Sequence, residues 1–280
     1  MSDYFFMLEN HLSTDQNRVV AEVQSAASQA NFSLFLAGGA MRDMLGGFQI
    51  RDLDFIVEGN APKLAKILTA KAGARVIAVD ERRHTMELLF PGGVTAEIGM
   101  ARQERYGKPG AAPQVTPAPI QEDLRRRDFT VNAIALSLNR ASRGLLLDPM
   151  NGLADLGRKE LRTIYSTGLY DIPKRLLRLV RLKLRLGYTI DEKTHDALTF
   201  SANNGVAANI AGLIPNDGYS VVVLFRLHTL NKTSAANPAS AHAHCFGDTS
   251  PQFDAAMPAA NRAQGASRGA RVSEIARIKR

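Results

Sequence analysis

The chain has 280 residues, 45% of them hydrophobic, a formal net charge of +8 and a single cysteine, Cys245. That is enough chain to bury one large core or two smaller ones, and no apolar run approaches the ~20 residues that span a bilayer, so no membrane partner is expected. One cysteine excludes an internal disulfide or a cysteine-based metal site and fits a reducing cytoplasm, while the positive charge favours a polyanion such as nucleic acid only where the charges cluster.

The opening "MSDYFFMLENHLS" has neither the basic region nor the cleavage site of a secretory signal. Ser13 to Gln16 reads as a capping box ahead of a helix carrying Val19, Val20, Val23 and Ala27 on one face. "FSLFLA" is predicted as a buried strand that turns at Gly38-Gly39 into a short helix, "AMRDML", and "DLDFIVE" is a second strand. In "NAPKLAKILTAKAG" Asn60 can cap a helix, Pro62 sits in its first turn, and Gly73 stops it. "ARVIAVD", "TMELLF" and "GVTAEIGMA" read as strands, the last two joined by the turn "PGG".

Beyond them, Tyr106 to Ile120 is rich in Pro, Gly and Ala and is expected to be a loop. "EDLRRRDFTVNAIALSL" follows as a helix or helix entry, then a strand and a turn at "GLLLDPMNGLADL". A basic helix is predicted from Pro173, "PKRLLRLVRLKLRLG", and another around "DEKTHDALTFSA". At ~100° per residue Arg175, Arg178, Arg181 and Arg185 share one arc, with Leu176, Leu177, Val180 and Leu184 on the other. Like charges at that spacing weaken a helix unless something anionic meets them; a solvated face explains the outer arginines equally well. The last stretch is dominated by Ala, Ser, Asn, Pro and Gly and cannot bury enough apolar area to offset the entropy of ordering, so 231–280 is predicted to be largely disordered.

Side chains alternate along a strand, so Asp52 and Asp54 are expected on one face, with Leu53 and Phe55 in the core. Two carboxylates so close repel unless a cation sits between them, and hard oxygen ligands without nearby His or Cys suit Mg2+. Glu97 is a candidate third carboxylate, and Gly38 and Gly39 lie where a strand meets a helix, a place where backbone N–H groups can hold phosphate. Each feature alone has a plainer explanation: a solvent-facing strand edge, a tight turn, a surface acid. Together they fit phosphoryl transfer.

Leu34 to Tyr188 resembles the tRNA nucleotidyltransferase and bacterial poly(A) polymerase family, class II of the DNA polymerase β-like nucleotidyltransferases. The resemblance rests on "LAGGAMRDMLGG…RDLDFIV", on "EDLRRRDFTVNAIAL", and on "RYGKPGAAPQVTPAPIQEDLRRRDFT" and "LLDPMNGLADL" in family order. It implies an α+β fold: a mixed-sheet nucleotidyltransferase head over 1–140, a helical neck over 141–202 and a degenerate tail over 203–280. It also implies transfer of CMP or AMP from CTP or ATP to the 3′ end of tRNA or another RNA, with Asp52 and Asp54 binding two Mg2+ ions and Glu97 at the weaker acidic position. Gly38, Gly39 and Arg42 would contact the triphosphate; Arg127, Asp128 and Asn132 would recognise ribose and triphosphate; Asp171, Arg175 and Arg178 would line the base-reading segment.

There the family carries two acids before its arginine, and the second is Ile172 in "YDIPKR", which cannot accept a hydrogen bond from a base. Three alternatives follow: a poly(A) polymerase, a catalytically weak nucleotide- or RNA-binding relative, and a small-molecule nucleotidyltransferase. "RRDFTVN" argues against the last.

Overall fold

The computed structural model describes residues 4–204; the disorder expected over 231–280 lies outside the described residues, as does nearly all of the tail expected over 203–280. The chain opens with α1 (Tyr4–His11) and α2 (Thr14–Gln29). Ser13 accepts from the Gln16 N–H while the Gln16 side chain accepts from the Ser13 N–H, so the capping box starts α2 as expected. Then come β1 (Ser33–Ala37), α3 (Gly39–Leu45), β2 (Leu53–Glu58) and α4 (Ala61–Lys71), the last capped by Asn60, whose Oδ1 accepts from the Lys63 N–H at 2.8 Å. Three strands follow, β3 (Arg75–Asp80), β4 (Thr85–Leu89) and β5 (Thr95–Met100).

Next, β6 (Arg102–Arg105) pairs antiparallel with β7 (Gln114–Pro117). The Pro- and Gly-rich stretch expected as loop therefore contains a strand, because partners at Arg102 to Arg105 satisfy its backbone across a turn that local composition does not reveal. The chain continues through α5 (Ile120–Arg125), a 3-10 turn at Thr130–Asn132, β8 (Ala135–Ser137), β9 (Leu146–Leu147), α6 (Gly152–Arg158), β10 (Glu160–Leu161), α7 (Gly168–Asp171), α8 (Lys174–Leu186), β11 (Thr189–Ile190) and α9 (Glu192–Asn203). The helix or helix entry expected in "EDLRRRDFTVNAIALSL" ends at Arg125, and the chain crosses the site irregularly from Arg126 to Phe129 before the 3-10 turn at Thr130–Asn132. Among the described residues no helix is long and apolar enough to cross a membrane.

The main sheet has seven strands in the order β3-β4-β5-β2-β1-β8-β9. It is mixed: β2 and β5 run parallel and the other neighbours antiparallel. Alternation sends Leu34, Leu36, Leu53, Phe55 and Val57 into a large core with Val19 and Val23 of α2 and Leu64 and Leu68 of α4. Phe35, Ala37 and Ile56 face the other way, against Ile120 and Leu124 of α5. Burying a side chain such as Phe55, which is fully enclosed, stabilises by roughly 2–3 kcal/mol.

Leu176, Leu179, Leu182 and Leu186 anchor α8 to the large core. Leu184, expected on that apolar face, is instead 65% exposed. Helix α8 returns to the chain before it through a short parallel pairing, Glu160↔Thr189 and Leu161↔Ile190.

Candidate active site

The turn from β1 into α3 brings the glycines against the carboxylates. Gly38 has φ 70 and ψ −125, a backbone state that side chains other than glycine's avoid. A Cβ there would stand 2.7 Å from Arg127 Nη1 and 3.0 Å from Asp54 Oδ2. A Cβ on Gly39 would stand 3.6 Å from both Asp54 Oδ2 and Arg42 Nη2, and the Gly39 N–H donates to Asp54 Oδ2 at 3.3 Å. Gly38, Gly39, Arg42, Asp54 and Arg127 therefore border one small space.

Asp52 does not lie inside a strand: β2 begins at Leu53, and Asp52 is exposed just ahead of it. Asp54, half-buried, alternates with the core residues Leu53 and Phe55. Burial pushes the Asp54 carboxyl above the usual carboxylate range and the Asp52 charge adds to the rise, against Arg127, the Gly39 N–H and Arg178. Glu97 sits beside Asp54 on β5. It keeps solvent contact, yet desolvation by the protein around its carboxyl and then the Asp54 charge push it up as well. Among the described residues no three His, Cys, Asp or Glu side chains converge to hold a metal.

Asp123, which sequence reasoning passed over, fixes the "RRD" segment from beneath. It is fully buried and accepts from Arg126 Nη2 at 2.5 Å, Arg127 Nη2 at 3.1 Å and the Arg102 N–H at 3.2 Å. Burial pushes its carboxyl up, but Arg127 and Arg126 outweigh that and hold it below the ordinary value. Arg126 is thereby turned to Asp123 and Glu104, whereas Arg127 Nη1 extends towards Gly38 and donates to the Asn132 carbonyl at 3.2 Å. The signal was visible, an Asp four residues before Arg127, the spacing that places two side chains on one helix face.

Asp128 and Asn132 are both buried. Asp128 Oδ1 accepts from the Phe129 N–H at 2.8 Å and from Asn132 Nδ2 at 3.0 Å. Its Oδ2 is buried without a hydrogen bond, although Arg178 Nη1 faces it as an ion-pair partner at 3.2 Å. Arg42 Nη1 donates to Asn132 Oδ1 at 2.7 Å.

Arg175, at the start of α8, donates to the Arg126 carbonyl at 2.6 Å; burial lowers its pKa and Asp128 pushes back. The Asp171 carbonyl accepts from the Gly110 N–H at 2.9 Å, which joins the β6–β7 turn to α7. Ile172 ends α7, half-buried. The segment "DPMNGLADL" is a structural support: Asp148 accepts from the Gly152 and Leu153 N–H groups at 2.7 and 2.8 Å, and Asp155 accepts from Thr130 Oγ1 at 2.6 Å, bracing the 3-10 turn that carries Asn132.

Residues 34–162 match the family described as Poly A polymerase head domain. The chain is 40% identical over 172 residues to an A-adding tRNA nucleotidyltransferase of Aquifex aeolicus, a match covering 61% of this chain and 21% of that protein. It is 36% identical over 171 residues to a CC-adding tRNA nucleotidyltransferase of Deinococcus radiodurans, covering 61% of this chain and 46% of that protein. Among solved structures, a Thermotoga maritima CCA-adding enzyme complexed with tRNA aligns with a TM-score of 0.63 at 27% identity, over 74% of this chain and 47% of that one. The chain thus spans less than half the length of each of these relatives.

Proposed function

We propose that the chain, whose residues 34–162 match the Poly A polymerase head domain, is a cytoplasmic RNA 3′-end nucleotidyltransferase, moving CMP or AMP from CTP or ATP to the 3′-hydroxyl of tRNA. One observation carries the reading: the bare Gly38 backbone lets Asp54 and Arg127, an anionic and a cationic group, converge on the turn where a Cβ would stand only 3.0 and 2.7 Å from them.

Asp52 and Asp54 would hold Mg2+; two hard, mutually repelling carboxylates, one of them pushed up by burial and by its neighbour, suit a divalent cation. Bound there, the metal would make the RNA 3′-hydroxyl a better nucleophile and neutralise charge on the departing pyrophosphate. Arg127 and Arg42, whose guanidinium groups border the glycine turn, bind the triphosphate. Asp128 keeps a carboxylate oxygen free of hydrogen bonds, the acceptor available to a ribose hydroxyl once Arg178 moves aside. Arg175 and Asp171 stand at the base-reading end, and the helices of 141–202 would carry the RNA.

The test is incubation of the purified chain with Mg2+, each labelled NTP separately, and tRNA lacking its terminal nucleotides. Labelled tRNA that is lost in Asp52→Ala and in Asp54→Ala is the expected result. Long adenylate tails on any RNA would assign poly(A) synthesis instead, and nucleotide binding without RNA extension would leave only a binding protein.

A further inference from the structure

We infer that Asp43 and Arg185 are positioning residues that tie α8 to the nucleotide pocket through Arg42, an inference that rests on the nucleotidyl-transfer reading above. Asp43 lies in α3 with its side chain only 4% exposed, and both its oxygens are engaged. Oδ1 accepts from Arg42 Nε at 2.9 Å and pairs with Nη2 at 2.8 Å; Oδ2 accepts from Arg185 Nη2 at 2.6 Å, from the last turn of α8.

The contacts close a ring. Arg42 passes from Asp43 to Asn132, Asn132 to Asp128, and Asp128 to Arg178, which is again on α8. Arg178 and Arg185 lie roughly two turns apart and within about 20° of each other around the helix, so a single face of α8 meets both ends of one buried polar chain, through Arg185 at Asp43 and through the largely exposed Arg178 at Asp128. Such chains act as a unit in a low-dielectric interior, where each member orients the next.

Arg42 is the member with a choice of partner. Its Nη2 and Asp54 Oδ2 each lie 3.6 Å from the place a Gly39 Cβ would occupy, so both groups border the glycine turn without pairing with each other. The Asp43 charge holds Arg42 from behind by a two-pronged grip, and Arg185 fixes that carboxylate in turn. Removing either weakens the hold and lets Arg42 turn to Asp54, filling the space meant for triphosphate. The position of α8, where the base-reading arginines sit, is thereby coupled to the affinity of the pocket for any NTP.

The experiment compares the full chain with Arg185→Gln, Arg185→Lys, Asp43→Asn and the Asp43→Asn/Arg185→Gln double variant. It measures ATP and CTP dissociation constants with Mg2+, the KM and kcat for transfer to tRNA lacking its terminal nucleotides, and thermal melting. Arg185→Gln should raise the NTP KM and Kd about 5- to 10-fold, the lower range of intersite coupling, with kcat and tRNA KM nearly unchanged. Lysine should restore most of the loss. The double variant should be no worse than Asp43→Asn alone, since both act through Arg42.

NTP constants within twofold of wild type in Arg185→Gln, or losses that multiply in the double variant, would overturn the coupling. So would a rise confined to the tRNA KM, which would make Arg185 an RNA contact. Should Asp43→Asn fail to fold, Arg185→Gln, whose side chain is partly in solvent, decides alone. A wild-type chain that binds neither nucleotide would bring down the nucleotidyl-transfer reading itself, and this inference with it.

Discussion

Asp54 and Glu97 stand directly opposite each other on the parallel strands β2 and β5. Two acids in that register repel, and a proton on one of them relieves the repulsion. The repulsion has a measurable sign. The folded-state pKa of Glu97 is raised, by desolvation first and by Asp54 second. The stability that goes with the proton is therefore complete below the ordinary value of 4.5 and is lost as pH rises through the folded pKa. Glu97→Gln should melt higher than wild type at neutral pH and converge with it below about pH 4. Equal melting curves at both pH values would show that the pair does not repel.

Gly38→Ala should impair both fold and pocket. The left-handed backbone costs about 1–3 kcal/mol with a Cβ present, and that Cβ must displace Arg127 or Asp54. Gly47→Ala is the control: its φ is +74 but nothing lies within 4 Å of the added carbon. Similar melting losses, with NTP binding lost only in Gly38→Ala, are expected. Parallel behaviour in binding would remove the case for a phosphate space at Gly38.

Gly152→Ala should destabilise by about 1–3 kcal/mol, the range for overpacking. Its Cβ would run into the backbone carbonyl of Thr130, whose carbon lies 2.7 Å from that position. Because Thr130 opens the turn bearing Asn132, denaturant unfolding and NTP affinity should fall together. An unchanged unfolding midpoint would contradict the packing.

Ile172→Asp should shift the ratio of CTP to ATP incorporation by about tenfold or more, since one hydrogen bond to a charged group is worth ~1.5–3 kcal/mol. Ile172 is half-buried three residues before Arg175, the spacing of the family's base-reading acid and arginine. Initial rates with each nucleotide measure the ratio, and an unchanged ratio would remove Ile172 from base selection.

Local chemistry was legible in advance and long-range chemistry was not. Ser13 and Asn60 cap their helices as residue type and spacing require, and Gly38, Gly39 and Asp54, which the structure brings together, lie within one short stretch. Asp52 missed the strand because β2 starts only where Leu53 gains a partner in Ala96. The β7 strand and the β10–β11 pair depend on backbone partners elsewhere in the chain. Asp43 was hidden for the same reason: an Arg-Asp pair on a short helix looks like surface until an arginine 142 residues away closes on it. Leu184 went astray because the buried stripe of α8 runs through Leu179, Leu182 and Leu186.

The small parallel pairing of β10 with β11 carries a mechanical consequence. By joining Glu160 and Leu161 to Thr189 and Ile190, it makes the intervening stretch a handle fastened at both ends. Helix α8 sits in that handle, with its first turn held by the Arg126 carbonyl through Arg175. A handle with two fixings cannot swing like a door, which leaves a slide along its axis or a twist about it as the displacements that the β10–β11 pairing itself would not oppose. Either motion would shift Arg178 and Arg185 together.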